Sequence, residues 1–205
     1  MDSVFRFHSI ARASQGSYKE KGSKFLSFAF PVTSLADVQT KLQELRRVYH
    51  DASHHCYAWI LGADKGQHKS HDDGEPRHSA GDPILGQIRS KGLTNVLVVV
   101  VRYFGGTKLG VGGLVGAYKQ AAEDALSHTE IQLKFVTESI HIKYAYADTS
   151  AVMKIVNDFG IEIINPVFGE WCEATLLYKR EFEGQMMQAL SPENQSATSV
   201  EVIKK

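Results

Sequence analysis

Hydrophobic and polar positions along the first 130 residues follow two periods. Alternation of period two indicates half-buried strands, and recurrence at three- and four-residue intervals indicates amphipathic helices. The pattern predicts strands over 17–32, 55–61 and 96–104 and helices over 35–49, 82–92 and 113–127. Ser34 or Asp37 suits the N-cap of the first helix, and Pro83 suits the first turn of the second. The polar stretch 62–79 is predicted to form a loop or an irregular hairpin arm.

The remaining residues follow the order β-α-β-β-α-β. Strands are predicted over 136–146, 161–168, 173–178 and 198–203, and helices over 149–159 and 180–190. Gly160 supplies a stop signal for the first of these helices. This order is typical of a ferredoxin-like sandwich. We therefore predict an α+β protein of two domains, residues 1–130 and 131–205.

Composition narrows the class of protein. The chain is 43% hydrophobic, which is ordinary for a globular protein with a real core. Its longest strongly apolar run, 96–101, is far too short to cross a bilayer, and we expect neither a membrane segment nor a secretion signal. Cys56 and Cys172 lie far apart without C-x-x-C spacing, which suits a reducing compartment. We expect a cytoplasmic protein.

Charge is unevenly distributed although the net charge is zero. Residues 1–128 hold 16 basic and 12 acidic residues, whereas residues 129–205 hold 7 basic and 11 acidic ones. Eight of the nine histidines also lie in the first part. This asymmetry suits a basic first domain that faces phosphate groups and an acidic second domain.

Residues 81–118 carry the most informative motif. The apolar strand 96–101 leads directly into Arg102-Tyr103-Phe104, and six glycines follow within the next twelve residues, before a helical pattern begins. Such glycines allow either close packing of a helix on a sheet or close approach of the backbone to phosphate at a helix N-terminus. The residues alone leave both interpretations open.

Fourteen positions in this region have the spacing of the IMPACT family. They are Gly81, Ile84, Leu85, Ile88, Leu93, Val99, Val100, Arg102, Tyr103, Phe104, Gly105, Gly106, Leu109 and Gly110. The segments 54–59 (HHCYAW) and 72–76 (DDGEP) resemble the same family, so that the match spans roughly residues 18–128. On these motifs the chain is identified as a member of the IMPACT family, of the bacterial two-domain YigZ type.

The resemblance implies both a fold and a field of activity. Family members have a first domain that resembles domain four of elongation factor G, a ribosomal-protein-like β-α-β sandwich, and a ferredoxin-like second domain similar to its domain five. Eukaryotic members regulate translation during amino-acid starvation by engaging an activator of a stress kinase. They do so partly through an additional N-terminal domain, and that partner is not carried over to this chain.

Imidazole and carboxylate groups are concentrated in one part of the first domain, which raises the question of an enzyme. They are His50, His54, His55, His68, His71, Asp72, Asp73, Glu75 and His78. No pair has a standard metal-ligand spacing, and adjacent residues on a strand point to opposite faces. The segment 72–76 is predicted to be a structured turn in which Asp accepts backbone N–H groups, or one wall of a groove. We expect no metal site and no cofactor.

Catalysis by a nucleophile or a nucleotide loop has weaker support. Cys56 next to His55 and Ser79 next to His78 lack the frame of an activated nucleophile. The glycine turn also departs from the P-loop and Rossmann patterns.

We therefore predict a non-enzymatic binding protein linked to translation regulation, which contacts RNA or the ribosome through the first domain. Arg102 and Lys108 supply phosphate donors, and Tyr103, Phe104 and Tyr118 supply rings on which an unpaired base can stack, although one of the first two rings is expected in the core. The predicted binding residues are Arg102, Tyr103, Gly105, Gly106, Lys108, Gly110, Gly112, Gly113, Tyr118, His54, His55, Asp72, Asp73 and Glu75.

Other interpretations stay open. A protein partner in translation control is compatible with the family, and DNA sequence specificity is not expected. The alternatives are a metal-assisted hydrolase that uses the His/Asp-rich loop and a binder of small phosphometabolites at the glycine turn. Arg102 has an alternative role of its own, a structural ion pair with Asp72, Asp73 or Glu75.

Overall fold

The computed structural model describes residues 4–191 and 199–203. The chain divides into two compact units. We call Arg6–Lys134 the N-terminal domain, and the described residues from Phe135 onward, together with Val4 and Phe5, the C-terminal domain. Among the described residues no helix is both long and apolar enough to cross a membrane.

The N-terminal domain is a five-stranded antiparallel sheet with helices on both faces. Its elements are β1 (Arg6–Ile10), β2 (Ser14–Glu20), β3 (Ser23–Pro31), α1 (Leu35–Val48), β4 (His54–Leu61), β5 (Gln67–His71), α2 (Gly81–Ser90), β6 (Val96–Tyr103), α3 (Gly110–Ser127) and β7 (Ile131–Phe135). The strand order in the main sheet is β2-β3-β6-β4-β5, and β1 pairs with β7 in a separate two-stranded sheet. Helices α2 and α3 pack on one face of the main sheet, and α1 packs on the other.

Strand β6 lies at the centre of this sheet and explains the apolar run of the sequence. Every residue of 96–101 is fully buried. The even-numbered residues pack into the cluster that contains α2 and α3, and the odd-numbered ones pack into the cluster that contains α1. A strand that is covered on both faces needs apolar side chains at every position, so it does not alternate.

Helix α1 begins where its capping signal predicts. The Ser34 side chain accepts a hydrogen bond from the Asp37 backbone N–H, and the Asp37 carboxylate accepts one in return from the backbone N–H of Ser34. This reciprocal capping box satisfies two N–H groups that would otherwise have no partner in the first turn. The prediction of a helix from about 35 to 49 is confirmed.

The structure corrects several predicted elements. The single strand 17–32 is wrong: it is the hairpin of β2 and β3, whose turn residues Lys21 and Gly22 both have positive φ angles, of 45° and 80°. Asn-Gly or Asp-Gly usually marks a two-residue hairpin turn in a sequence. Because Lys21 stands in place of Asn or Asp, the pattern does not indicate a turn here. Strands β1 and β7 were not predicted, and α3 begins at Gly110 rather than at residue 113. Within the polar stretch 62–79, β5 forms the hairpin arm that was one of the two alternatives.

The C-terminal domain is a four-stranded antiparallel sheet with two helices. Its elements are β8 (Thr137–Ala145), α4 (Thr149–Phe159), β9 (Glu162–Val167), β10 (Trp171–Lys179), α5 (Glu183–Leu190) and β11 (Glu201–Ile203). The strand order β11-β8-β10-β9 is that of a ferredoxin-like sandwich. Helix α5 begins after a short 3-10 turn, three residues later than predicted, and the predicted start of the last strand at residue 198 lies outside the described residues.

Candidate functional site

One end of the main sheet gathers the segments that the sequence singled out. Strand β6 ends there, next to the start of β4, because Arg102 lies opposite His54 in the antiparallel register. The turn between β2 and β3 lies beside the glycine segment, since the Gly105 N–H donates to the Ser23 hydroxyl at 3.2 Å. The segment 72–80 and the first turn of α3 complete this end of the sheet.

The glycines of the motif divide into two kinds. At Gly105, a Cβ atom would lie only 1.9 Å from the backbone carbon of Gly22, so Gly105 is required by close packing of two backbone segments. Gly106 and Gly110 have φ angles of 85° and 72°, which disfavour any side chain, although neither position is crowded. At Gly112 a Cβ atom would meet nothing within 4 Å. Close packing therefore explains Gly105, between two backbone segments rather than between a helix and the sheet, and approach of phosphate to the other glycines stays a prediction.

Arg102 is a buried residue at this end of the sheet. Its guanidinium Nη1 donates to Glu75 Oε1 at 2.5 Å, and the two side chains are only 6% and 4% exposed. A second, long contact of 3.4 Å joins Nη2 to the Ser23 hydroxyl, and Nε has no hydrogen-bond partner among the described residues. Arg102 thus forms the structural ion pair that the sequence left open as an alternative, and its guanidinium is not freely presented to solvent.

The predicted role of Tyr118, a ring on which an unpaired base can stack, is wrong. Its side chain is fully buried, and its hydroxyl donates to Glu75 Oε1 at 2.8 Å. Burial raises the pKa of this hydroxyl, and the neighbouring Cys56 thiol and Glu75 carboxylate act in the same direction. The ring of Tyr118 packs edge-on against Phe25 and cannot receive an incoming base.

The acidic residues of the loop 72–76 are used mainly within the fold. Asp72 accepts hydrogen bonds from the backbone N–H groups of His78, Ala80 and Gly81, and so caps the start of α2. Asp73 accepts the backbone N–H of His55 at 2.7 Å. The loop is therefore a structured turn, and among the described residues no group of three His, Cys, Asp or Glu is placed to hold a metal ion.

The side chains of the adjacent histidines His54 and His55 point to opposite faces of the sheet. His54 lies opposite Arg102, its Nδ1 is 2.8 Å from the carbonyl oxygen of Asp73, and its Nε2 is 3.8 Å from Glu75 Oε1. His55 points to the α1 face, where burial lowers its pKa. The two rings do not share one site.

A pocket of about 350 Å³ opens beside the buried ion pair. Its lining residues are Glu75, Pro76, Arg102, Phe104, Lys108, Leu109, Gly110, Val111 and Leu114. Phe104, which the sequence offers as a ring for stacking but which is absent from the list of predicted binding residues, is 51% exposed and lines the pocket. Tyr103 faces the other side of the sheet, where its hydroxyl donates to Asp51, so it does not reach this pocket. Neighbouring residues along an extended chain point to opposite faces, so the sequence predicts that Tyr103 and Phe104 lie on different sides of the sheet. It does not predict which of the two rings is exposed.

Helix α3 begins at this pocket without a side-chain cap. Its N-cap residue is Leu109, which offers no acceptor, and its first turn contains no acidic residue. Gly112 and Gly113 present no side chain beyond the backbone there. The first N–H groups of a helix have no partner within the helix, so this end of α3 favours an anionic group. Lys108, which is exposed, adds a positive charge.

Both thiols are expected to be unreactive in the native protein. Cys56 and Cys172 are free and buried, and burial raises the pKa of the Cys56 thiol, which keeps it protonated. A disulfide-exchange reagent should therefore react with each thiol only when the domain that contains it unfolds in denaturant. Fast reaction of either thiol in native buffer would contradict the buried placement.

The fold and this site define a two-domain α+β protein with a ligand-sized pocket at one end of its N-terminal sheet. The chain belongs to the IMPACT family, since the family model described as the Impact N-terminal domain matches residues 21–126.

Known relatives agree with this assignment. The chain is 33% identical to the IMPACT family member YigZ of Escherichia coli over 71% of its own length and 72% of that protein. It is 31% identical to an IMPACT family member of Haemophilus influenzae over 72% of its length and 73% of that protein. A crystal structure of a hypothetical protein aligns with 99% of this chain and 100% of its own, with a TM-score of 0.72 and 25% identity.

Proposed function

We propose that this is a cytoplasmic, non-enzymatic binding protein linked to translation regulation, whose N-terminal domain contacts RNA, free or within the ribosome. The observation that carries the proposal is the presence of exposed lysines at the end of the sheet that holds the glycine turn. Lys21 lies in the turn between β2 and β3, Lys24 follows that turn and lies opposite Tyr103 on the α1 face, and Lys108 lies in the glycine segment. Exposed cations at the same end of the sheet as an uncapped helix N-terminus suit the phosphates of a nucleic-acid backbone.

The contacts of the chemically active side chains support binding rather than catalysis. Cys56 is buried with a raised pKa, and Ser79 is fully buried with its hydroxyl donating to the Pro76 carbonyl oxygen. Asp72 and Glu75 are engaged by backbone N–H groups and by Arg102. A nucleophile or general base needs a group that is free to reach a substrate, and these groups already have partners within the fold.

Family membership supports the link to translation. The resemblance to domains four and five of elongation factor G, which we propose for the two domains, suggests a module that contacts RNA within a translational assembly. Fold-level similarity is an analogy, so the proposal depends on the basic end of the sheet rather than on the fold.

RNA binding by the full chain should weaken steeply as salt rises from roughly 50 to 200 mM, because condensed counterions are released when lysines contact phosphates. Reversing two charges, in Lys21→Glu with Lys24→Glu, should reduce the slope of log K against log salt by about 1.4, since each phosphate contact on a single strand contributes about 0.7. Fluorescence anisotropy with a labelled RNA measures both quantities.

The matched control reverses two charges at another part of the same sheet. Lys65 follows β4 and Lys69 lies in β5, both exposed and away from the glycine turn. The variant with Lys65→Glu and Lys69→Glu has the same net charge and should retain the original salt slope. Equal losses in the two double variants would mean that affinity follows net charge alone, and the proposed surface would be wrong.

A further inference from the structure

We propose that the pocket beside Arg102 binds a single unpaired nucleotide, with the base against Phe104 and the phosphate at the start of α3. This inference rests on the proposed function and adds the kind of RNA that the surface selects. It predicts recognition of a single-stranded segment or a bulged nucleotide rather than of duplex RNA.

The wall of the pocket is suited to a base. Phe104 is half exposed, and the Arg102 guanidinium carbon lies 5.6 Å from the centre of its ring. The ring is therefore positioned by contacts within the fold while part of its surface stays accessible. Val111, which is also exposed, lies on the α3 side of the same pocket, together with Leu109. An exposed ring beside aliphatic walls is an arrangement on which unpaired bases stack, with little dependence on the identity of the base.

The α3 side of the pocket is suited to a phosphate. Gly110 begins the helix inside the pocket lining, Leu109 offers no side-chain acceptor, and the first turn contains no acidic residue. The carboxylate in the pocket lining, Glu75, is paired with Arg102. Lys108 lines the same pocket. Backbone N–H groups and a lysine are donors that phosphate oxygens accept readily.

The buried side chain of Arg102, at the bottom of the pocket, supports a ligand site independently of the helix terminus. Arg102 is nine-tenths buried, lines the pocket, and keeps Nε without a hydrogen-bond partner among the described residues. A buried polar atom without a partner is rare in a folded protein and calls for an explanation, of which an ordered water or ion beside it is one. The pocket volume of about 350 Å³ lies near the lower end of the range for small-ligand sites, so it suits one nucleotide rather than a base pair.

The test compares a short single-stranded RNA with its own duplex, each labelled with fluorescein, against the full chain at low salt. We expect the single strand to bind more tightly. Phe104→Ala should weaken single-strand binding by about tenfold or more, which is the usual effect of removing one stacked base contact. It should leave duplex binding unchanged. The matched control is Phe168→Ala in the C-terminal domain, because Phe168 is also an exposed phenylalanine.

The outcomes separate this inference from the proposed function. If both RNAs bind equally and Phe104→Ala affects neither, the nucleotide pocket is wrong while RNA contact through the lysines stands. If neither RNA binds, the proposed function fails and this inference fails with it. A loss in Phe168→Ala equal to that in Phe104→Ala would also overturn the pocket. Thermal melts of the variants establish that each is folded, and Phe104→Leu, which keeps the apolar contact without the ring, should lose single-strand affinity as well.

Discussion

Replacing Arg102 with alanine will lower the free energy of unfolding by about 3–5 kcal/mol, because the change leaves a buried carboxylate without its cation. Arg102 and Glu75 are 6% and 4% exposed and are joined at 2.5 Å. Glu75 also accepts from the Tyr118 hydroxyl, so the loss affects a network rather than one contact. Urea denaturation of the purified full chain measures the effect.

Two variants control this prediction. Arg77→Ala removes an exposed arginine from the adjoining loop and should change stability by less than about 0.5 kcal/mol. The double variant Arg102→Met with Glu75→Leu removes both charges and should be clearly more stable than Arg102→Ala, since no buried charge is left unpaired. An Arg102→Ala protein as stable as the original would show that the pair does not support the fold.

Replacing Gly105 with alanine is expected to cost about 3 kcal/mol or more, at or beyond the upper end of the usual cost of overpacking. The new Cβ atom would lie 1.9 Å from the carbonyl carbon of Gly22 and 2.2 Å from the backbone nitrogen of Ser23. These are backbone atoms, which cannot rotate away as a flexible side chain does, so the turn between β2 and β3 would have to separate from the end of β6. Thermal unfolding and the yield of folded protein measure the effect.

Gly112 provides the matched control for Gly105. The position is helical and a Cβ atom meets nothing within 4 Å, so Gly112→Ala should stabilise the protein by about 0.5–1 kcal/mol through the entropy of the unfolded chain. Similar melting temperatures for the Gly105→Ala and Gly112→Ala proteins would contradict the assignment of Gly105 to backbone packing.

Much of the secondary structure could be predicted because its signals are local. The capping box at Ser34 marks the start of α1, and Pro83 lies in the first turn of α2. The periodicity after residue 135 predicts the ferredoxin-like order of elements. The turn at Lys21 could not be predicted, since a lysine with positive φ is stabilised by the surrounding hairpin and not by its own preference. The short strands β1 and β7 have too few residues for a clear period.

The sequence by itself determined most of the helices and the longer strands, the cluster of glycines after the central strand, and membership of the IMPACT family. Only the tertiary structure decided the roles of individual side chains at the site. Arg102 is buried because the loop at Glu75, 27 residues away in the chain, folds over the end of the sheet. Tyr118 is core because its face of α3 packs against Phe25 of the sheet, and Phe104 is exposed because it follows the end of β6 beside the pocket. Burial and pairing depend on contacts between distant segments, and local preferences contain no information about which segments will meet.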